Sequence, residues 1–445
     1  MDHEVDAEGR LRIGGLVASD LARSHGTPLY VIDGGRVRER MRRYRDALAP
    51  LGGVATYAAK ALLTAPLVRM ARAEGLWLDV VSGGELYLAL RAGMPAERIL
   101  LHGNNKPDAE LHTALATGVG RIVVDSLAEL GRLESLAARL GRRAPILLRV
   151  APGVEGGAHH HIQTGQEDSK FGLGLASGQA MEGVRRALAS DHVDLMGLHC
   201  HIGSQILDLG PFERATDAMV DFLLEAQQAT GWWPADLDLG GGLGVRYVPE
   251  DRPPTIEAHV AATAGRAARR LGELGLPAPR FLLEPGRAIV AEAGITLYRL
   301  GDRKEVPGVR TYVAVDGGMG DNPRPALYGA RYSAVIADRA REPASERVTV
   351  AGRYCETGDV VIEDAWLPPA AAGEILAVLS TGAYHHSMAS TYNRVPRPAL
   401  VWVEGGVARL AVRRETYEDM CLLEAELPPS GADADTVPAA ARLRA

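Results

Sequence analysis

Short apolar runs recur along the chain as far as residue 289, and most are followed by a longer stretch with apolar residues at helical spacing. The runs predict buried strands, and the longer stretches predict helices. The predicted strands cover residues 54–59, 77–81, 99–102, 121–125, 145–150, 194–199, 237–239 and 280–284. The predicted helices include residues 61–74, 84–92, 127–140, 178–190, 211–230 and 254–274. Alternating strands and helices indicate a parallel sheet, and eight strands are the number in a closed (β/α)8 barrel. An open, doubly wound sheet is the alternative.

The pattern changes after residue 289. Short apolar segments, such as residues 295–299, 311–315 and 399–403, are separated by Gly, Pro and Asp, which predicts a mostly antiparallel β domain. A short strand at residues 29–32 falls on the barrel side of the division. The predicted parts are an N-terminal segment that packs with the β domain, the barrel, the β domain and a disordered tail, which cover residues 1–26, 27–288, 289–425 and 426–445.

The composition is that of a soluble globular protein, with 47% hydrophobic and 24% charged residues. The net charge of −7 argues against a general nucleic-acid-binding protein. No apolar run is long enough to predict a membrane span, and the polar, acidic start of the chain does not resemble a secretory signal. The three cysteines are too few and too scattered for a disulfide framework, so we expect a reducing, cytoplasmic setting.

Lysine is nearly absent from the chain. Of 49 basic residues only Lys60, Lys106, Lys170 and Lys304 are lysines. Lys60 directly follows the first predicted barrel strand, at the end where barrel enzymes carry their active sites. A lysine whose pKa is lowered by burial can form a Schiff base, which arginine cannot. The alternative is a structural lysine whose ammonium group reaches water.

Other reactive side chains follow the same ends of the predicted strands. They include Asp79, His102, His199, His201, Ser204 and Glu284. The seventh strand ends in Gly240, Gly241 and Gly242, and the eighth is followed by Gly286 and Arg287. Glycines at these two strand ends let backbone N–H groups approach an anion, which predicts a phosphate site. A tight turn without a ligand is the alternative for the glycine run.

A lysine amine, a phosphate site and a carboxylate on one face predict pyridoxal 5'-phosphate as the cofactor. Glu284 would face the pyridine nitrogen, and His201 would stack on the ring. His199 and His201 lie two residues apart, so a strand would place both on one side. This spacing also suits a metal ion, which makes a barrel metallohydrolase the competing enzyme class. Further histidines at later strand ends are missing, so we expect no metal.

Three loops of the predicted β domain carry further candidates, because function concentrates in loops. The first contains Arg324 and Tyr328, the second Cys355 and Glu356, and the third Tyr384. A free cysteine beside a glutamate in a glycine-rich loop could donate a proton. A small buried filler is the commoner role of a cysteine.

These stretches together resemble the fold type III pyridoxal phosphate-dependent decarboxylases, over nearly the whole chain from about residue 27 to about residue 425. The motifs that carry the resemblance are Tyr-Ala-Ala-Lys, Asp-Val-Val-Ser-Gly-Gly-Glu-Leu, His-Gly-Asn-Asn-Lys, Ser-Lys-Phe-Gly, His-Ile-Gly-Ser-Gln, Gly-Gly-Gly-Leu-Gly and Glu-Pro-Gly-Arg. Arg-Pro-Ala-Leu-Tyr, Cys-Glu-Thr-Gly-Asp and Gly-Ala-Tyr favour the branch that acts on diaminopimelate. The resemblance implies decarboxylation of meso-2,6-diaminopimelate at its D-centre, giving L-lysine and CO2 as the last step of lysine biosynthesis.

The resemblance also implies roles for individual residues in a homodimer. Lys60 would hold the cofactor and act with Cys355 in catalysis. The cofactor would be bound by Lys60, Asp79, His201, Ser204, Gly240, Gly241, Gly242, Glu284, Gly286, Arg287 and Tyr384. The substrate would be bound by Arg287, Arg324, Tyr328, Glu356 and Tyr384, with Cys355 and Glu356 reaching the partner's site. Thr357, where the family usually has Ser, and His385 and His386 after Tyr384 leave fine specificity open.

Two further interpretations remain beside the metallohydrolase. A paralogue could decarboxylate lysine, ornithine, arginine or a carrier-bound substrate in specialised metabolism, although Arg324, Tyr328 and Glu356 argue against it. An inactive relative could act as a binding protein, although the presence of Lys60 and Cys355 argues against that.

Overall fold

The computed structural model describes residues 4–154 and 169–425. The predicted tail, residues 426–445, lies outside the described residues. Within them, no helix has both the length and the apolar character that crossing a bilayer requires.

Eight parallel strands close into a barrel, as predicted. They are Val54–Ala58, Trp77–Val80, Ile99–Leu101, Arg121–Val124, Ala144–Ala151, Val193–His199, Asp236–Asp238 and Arg280–Leu283. The eighth strand pairs with the first through Leu282 and Val54, which closes the cylinder and excludes the open sheet. The strands are buried on both faces, which explains why each appears in the sequence as a continuous apolar run.

Helices surround the barrel between its strands. The main ones are Gly34–Leu48, Ala65–Ala73, Gly83–Arg91, Asp108–Thr117, Leu127–Leu140, Gln179–Ala189, Gly210–Thr230, Ile256–Val260 and Arg266–Glu273. The last two are joined by a π-helical turn, Ala261–Gly265, within a segment predicted as one helix. Helix Asp108–Thr117 was not predicted, because it buries only Leu111, Ala114 and Leu115 and its apolar pattern is weak. Shorter helices are Ala18–His25, Arg287–Val290, Arg324–Tyr328 and Tyr417–Cys421.

The second domain is a mostly antiparallel β structure, as predicted. Its strands after the barrel are Gly294–Val306, Arg310–Val315, Ala334–Ile336, Glu346–Ala351, Val360–Leu367, Ile375–Leu379, Ala399–Glu404 and Val407–Val412. Among the described strands of this domain, only two pairings are parallel, one of them between Arg310–Val315 and Glu346–Ala351.

One early strand belongs to this β domain, against the boundary drawn from the sequence at residue 27. Leu29–Asp33 lies between Gly294–Val306 and Ala399–Glu404 and pairs with both. An apolar strand pattern indicates that a segment is buried but not which sheet it joins. The sequence therefore could not assign this strand to the β domain. The preceding strands Glu4–Val5, Leu11–Ile13 and Leu16–Val17 form a small sheet. Its side chains Leu11 and Ile13 pack in a buried cluster with β-domain residues.

Glu74 joins two helices of the barrel through arginines. Its carboxylate, which is 6% exposed, accepts hydrogen bonds from Arg38, Arg42 and Arg45 of helix Gly34–Leu48. Hydrogen bonds from Arg42 and Arg38 hold the pKa of Glu74 below its usual range, although burial opposes this.

We expect Glu74→Gln to lower the free energy of unfolding by about 2 kcal/mol at pH 7, because three partly exposed arginines lose a shared anion. The wild-type carboxylate contributes stability above its unfolded-state pKa and loses it as the pH falls through its lower folded-state pKa. The difference between variant and wild type should therefore shrink in acid. Urea unfolding at several pH values measures it, with Glu39→Gln as the control, because Glu39 is exposed on the helix that carries the three arginines. A constant difference across pH would contradict the assignment.

Candidate active site

A cavity of about 440 Å³ opens at the carboxyl ends of the barrel strands and is closed by loops of the β domain. It brings together most of the predicted site residues. Those that line it are Lys60, His201, Ser204, Gly242, Glu284, Gly286, Arg287, Arg324, Tyr328 and Tyr384. Asp79, Gly240 and Gly241 are buried and do not line the cavity. Cys355 and Glu356 are exposed and do not line it either.

Lys60 projects from a 3-10 turn, Ala59–Ala61, that directly follows the first barrel strand. The Ala61 carbonyl oxygen accepts hydrogen bonds from the Tyr384 N–H (2.8 Å) and the Ser387 hydroxyl (3.2 Å), so the β domain holds this turn. Within the described chain, the Lys60 ammonium has no hydrogen bond or ion pair, and it faces the cavity.

The charge of Lys60 differs from the sequence-based expectation. Burial alone would lower the pKa of Lys60, but the negative charges of Asp79 and Glu284 and the nearby Tyr384 outweigh burial and raise it. The expected lowering by burial is therefore wrong for the protein without a ligand, because two carboxylates that are distant in sequence face the amine. Asp79 is 1% exposed, and burial raises its pKa. Both its carboxylate oxygens lack a hydrogen-bond partner among the described residues.

Glu284 lies between two imidazoles. The Nε2 atom of His102 is 2.7 Å from one carboxylate oxygen, and the Nε2 atom of His199 is 3.2 Å from the other. Burial would raise the pKa of Glu284, but His102 and His199 outweigh it and hold the pKa well below its usual range. Burial lowers the pKa of His199 to about 4. Glu284 is therefore an anion at neutral pH and His199 is neutral.

His199, the last residue of the sixth strand, and His201, which follows it, line the same cavity, but their contacts differ. His201 accepts a hydrogen bond at Nδ1 from the Gly241 N–H (3.3 Å), while His199 contacts Glu284. Ligating atoms of His102, His199, Asp238 and Glu284 lie within 4.8 Å of one another, a spacing that a metal site would also show. These side chains already contact one another, so the spacing alone does not distinguish the two chemistries.

Glycines at the ends of strands seven and eight allow backbone segments to touch. A Cβ atom on Gly241 would lie 2.1 Å from the Glu284 carbonyl oxygen, and one on Gly242 would lie 2.5 Å from the Gly203 carbonyl oxygen. Gly242 also has φ +120°, a backbone conformation that favours glycine. Every other residue type has a Cβ atom, which would overlap one of these carbonyl oxygens. Only glycine therefore permits this arrangement beside Ser204.

Two arginines enter the cavity from different domains, and each is held by hydroxyl groups. Arg287 of the barrel donates to the Ser204 hydroxyl from Nε (3.1 Å) and Nη2 (2.9 Å), and to the Tyr247 hydroxyl (2.5 Å). Arg324 of the β domain donates from Nε to the Tyr332 hydroxyl (2.9 Å). Burial would lower the pKa of Arg324, but the nearby tyrosines raise it, so its positive charge persists.

Tyr384 links these groups. Its backbone has φ +62°, a conformation that residues other than glycine rarely adopt. Backbone strain of this kind concentrates at functional sites. The guanidinium groups of Arg287 and Arg324 lie 4.8 Å and 5.5 Å from the centre of its ring. Cation–π contacts of this length favour a fixed geometry of ring and arginines.

The loop that carries Cys355 and Glu356 lies on the surface, where it is held by its neighbours. The Cys355 N–H donates to the Asn393 side-chain oxygen (2.9 Å), and the Tyr392 hydroxyl donates to Glu356 (2.5 Å). Asp359 closes the loop, because its carboxylate accepts from the N–H groups of Met319 (2.6 Å) and Tyr354 (2.7 Å). The loop is therefore fixed while its two predicted functional side chains face outward.

The residue-by-residue predictions omitted several side chains of the cavity. Arg149 stands in the fifth barrel strand and is 8% exposed, with its guanidinium 4.2 Å from the Phe171 ring centre and 3.6 Å from Asp125. His102 contacts Glu284 although it follows the third strand. The available signal for Arg149 was an arginine inside an otherwise apolar strand, which requires a buried partner.

Comparisons with known proteins agree with this geometry. Residues 34–291 match the model of the family described as pyridoxal-dependent decarboxylase, pyridoxal binding domain. The chain is 48% identical to a diaminopimelate decarboxylase of Bacillus subtilis, over 94% of this chain and 95% of the relative. It is 45% identical to one of Mycobacterium tuberculosis, over 94% and 96%. A solved diaminopimelate decarboxylase of M. jannaschii in complex with L-lysine superposes with a TM-score of 0.90 at 35% identity, over 96% of this chain and 98% of that one.

Proposed function

The chain belongs to the diaminopimelate decarboxylases, a branch of the pyridoxal-dependent decarboxylases. From this premise we propose that it removes the carboxyl group at the D-centre of meso-2,6-diaminopimelate, releases CO2 and gives L-lysine, as the last step of lysine biosynthesis. The observation that carries the proposal is one cavity that contains the Lys60 amine, the Glu284 anion and two arginines from separate domains.

The residues of the cavity fit pyridoxal phosphate. Lys60 offers an amine without a partner among the described residues, Ser204, Gly242, Gly286 and Arg287 line one cavity with it, and buried Asp79 has unpartnered oxygens. When bound, the cofactor supplies an electron sink for the pair that is left when the carbon–carboxyl bond breaks. In the proposal Lys60 holds the cofactor's aldehyde, Ser204, Gly240, Gly241, Gly242, Gly286 and Arg287 surround its phosphate, and Glu284 faces its ring nitrogen. Asp79, His201 and Tyr384 complete its binding site.

The far end of the substrate carries both a carboxylate and an amine, so its recognition requires both signs of charge. Arg287, Arg324 and Tyr328 provide the cationic and hydroxyl groups within the cavity. Arginine binds carboxylates through two parallel hydrogen bonds, which fixes their orientation. Glu356 supplies the opposite charge for the distal amine, and in the proposal it comes from the second subunit of a homodimer.

The chain's own groups move the protons. Loss of CO2 leaves an electron pair at the reacting carbon, and one proton must replace the lost carboxyl group there. In the proposal Cys355 of one subunit or Lys60 of the other delivers it. Cys355 and Glu356 are exposed and lie outside the cavity of their own chain, on a loop that Asp359 and Asn393 hold in place. This position supports a contribution to the site of the other subunit.

The competing interpretations differ in substrate. Lysine, ornithine and arginine have no distal carboxylate, so a paralogous decarboxylase that acts on them does not need a cation to bind one. Buried, positively charged Arg324 therefore favours diaminopimelate. The barrel metallohydrolase was supported mainly by the spacing of His199 and His201. The match of residues 34–291 to the decarboxylase family favours the decarboxylase over it. The cysteines Cys200, Cys355 and Cys421 are unpaired, which supports a reducing compartment such as the cytoplasm.

We expect the purified protein supplied with pyridoxal phosphate to release lysine and CO2 from meso-diaminopimelate in preference to lysine, ornithine and the LL-isomer. Arg324→Met should lower kcat/KM for meso-diaminopimelate by about a hundredfold and affect ornithine much less, because a charged hydrogen-bonding partner of the distal carboxylate is lost. Coupled detection of CO2 with each substrate measures both. Equal or better turnover of another amino acid by the wild type would refute the assignment of substrate.

A further inference from the structure

Glu284 has an imidazole nitrogen close to each of its oxygens: His199 Nε2 is hydrogen-bonded to one at 3.2 Å, and His102 Nε2 is in ionic contact with the other at 2.7 Å. A carboxylate oxygen only accepts, so the nitrogen that faces it at hydrogen-bonding distance carries the hydrogen. His102 faces one oxygen and His199 the other, each with Nε2, and both imidazoles are at most 5% exposed. The hydrogen bond therefore requires the Nε2–H tautomer in neutral His199, and the 2.7 Å separation of nitrogen and carboxylate oxygen favours the same tautomer in His102. For His199 this leaves Nδ1 without a hydrogen, in agreement with its lack of a partner among the described residues.

A third group stands behind Glu284. Asp238 is fully buried at the end of the seventh strand, and one of its oxygens accepts from the Gly240 N–H (2.8 Å). Burial, reinforced by the neighbouring charge of Glu284, raises the pKa of Asp238 well above its usual range. Burial and the charge of Glu284 therefore both favour the neutral form of the Asp238 carboxyl group.

The charged groups around this cluster also bear on the location of a proton. Lys60 and Arg149 contribute positive charge, and Asp79 contributes negative charge. Asp79 lies 3.7 Å from the same His102 Nε2 atom that is 2.7 Å from Glu284. Glu284 is therefore the nearer of the two carboxylates to this nitrogen.

The position of His102 is fixed from its own loop. The His102 N–H donates to the Val80 carbonyl (2.8 Å). The buried Lys106 ammonium then binds the carbonyls of Gly103 and Val123 and the carboxylate of Glu129, each at 2.6 Å. All three hydrogens of this ammonium are used, so one of the four lysines of the chain serves to hold the loop that aims His102.

We propose that His102 and His199 are positioning residues that make Glu284 a weak base, so that a proton shared between Glu284 and the ring nitrogen of the cofactor resides on the nitrogen. This rests on the proposed function. Hydrogen bonds to the charged form of a carboxylate favour that form, so each imidazole removed makes Glu284 more willing to take the proton. A ring nitrogen that loses its proton is a poorer electron sink.

The test uses the holoenzyme loaded with pyridoxal phosphate labelled with 15N in its ring. The 15N chemical shift, followed across pH, reports whether that nitrogen carries a proton. We expect the wild type to remain protonated through neutral pH. In His102→Ala the affinity of the nitrogen for its proton should fall about tenfold to a hundredfold, since the closer imidazole contact of the Glu284 carboxylate is lost. His102→Gln, whose amide N–H can still donate, should restore part of the affinity.

His112→Ala is the matched control, because His112 is exposed on helix Asp108–Thr117. It should behave as the wild type. We also expect kcat of His102→Ala to fall with KM changed much less, since the effect is on chemistry. A ring nitrogen in His102→Ala that titrates as in the wild type would overturn the proposal.

A second measurement does not depend on a variant or on cofactor binding. The 15N shifts of the histidine rings in the wild-type apoprotein should identify Nε2–H tautomers at His102 and His199, and an Nδ1–H tautomer at either would overturn the proposal. Failure of the proposed function would instead be seen as absence of CO2 release from every amino acid by the wild-type holoenzyme, whatever the tautomers are.

Discussion

Lys60→Ala is expected to reduce decarboxylation by about 10³-fold or more, the largest effect of any single substitution. The amine that would hold the cofactor and exchange protons near the reacting carbon is then missing, and a positioned proton-transfer group alone contributes about 10²–10⁴-fold. In the structure the Lys60 amine faces the cavity without a partner among the described residues, so no neighbouring group replaces it. CO2 release from meso-diaminopimelate measures the loss.

A chemical readout separates loss of the amine from misfolding. Borohydride should attach the cofactor irreversibly to the wild-type chain, and peptide mapping should place it on Lys60. The same treatment of Lys60→Ala should leave the cofactor removable. Lys304→Ala is the control, because Lys304 is an exposed lysine of the β domain. Labelling of Lys106 or Lys170 in the wild type would show that the amine is misassigned.

Cys355→Ala is expected to bind the cofactor as the wild type does and to turn over about a hundredfold more slowly, because a positioned proton donor is lost. Cys421→Ala, another exposed cysteine, is the control and should retain full activity. Full activity of Cys355→Ala would remove this thiol from the mechanism.

The same variant tests whether Cys355 acts in the other subunit. Lys60→Ala and Cys355→Ala chains, unfolded together and refolded or coexpressed, would form mixed dimers. If Cys355 acts across the interface, one site of each mixed dimer combines both changes and the other site has neither. Random pairing should then restore about a quarter of the wild-type sites. If Cys355 acts in its own chain, every site carries one change, and mixing restores nothing.

The barrel could be predicted from the sequence because each buried strand is a continuous apolar run ended by reactive residues. All eight predicted barrel strands correspond to strands in the structure, with ends that differ by at most one residue. Lys60, Glu284 and Arg287 could be placed at one face for the same reason. Strand Leu29–Asp33 could not be assigned to its sheet, because its burial is the same whichever sheet it joins.

The charge states of the site residues could not be predicted, because they depend on contacts between strands that are distant in sequence. The pKa of Lys60 is raised by Asp79 and Glu284, which the sequence placed on the same face but not at a known distance. His102 was recognised at a strand end, yet its role depends on a 2.7 Å approach to Glu284, nearly 200 residues later. Local patterns predict which end of a strand carries chemistry, whereas the charge state of each group depends on the three-dimensional arrangement.

The two hydrogen bonds at the Ala61 carbonyl have a consequence for how such enzymes can be recombined. They join the turn that carries Lys60 to the loop that carries Tyr384, so the groups assigned to the cofactor and those assigned to the far end of the substrate meet at one backbone atom. Arg324, Tyr328 and Tyr384 all belong to the C-terminal domain. Exchanging that domain between relatives should therefore transfer the part of the substrate preference that these three residues carry. The transfer requires that the incoming loop again supplies two donors to this carbonyl and that the incoming sheet again pairs with strand Leu29–Asp33.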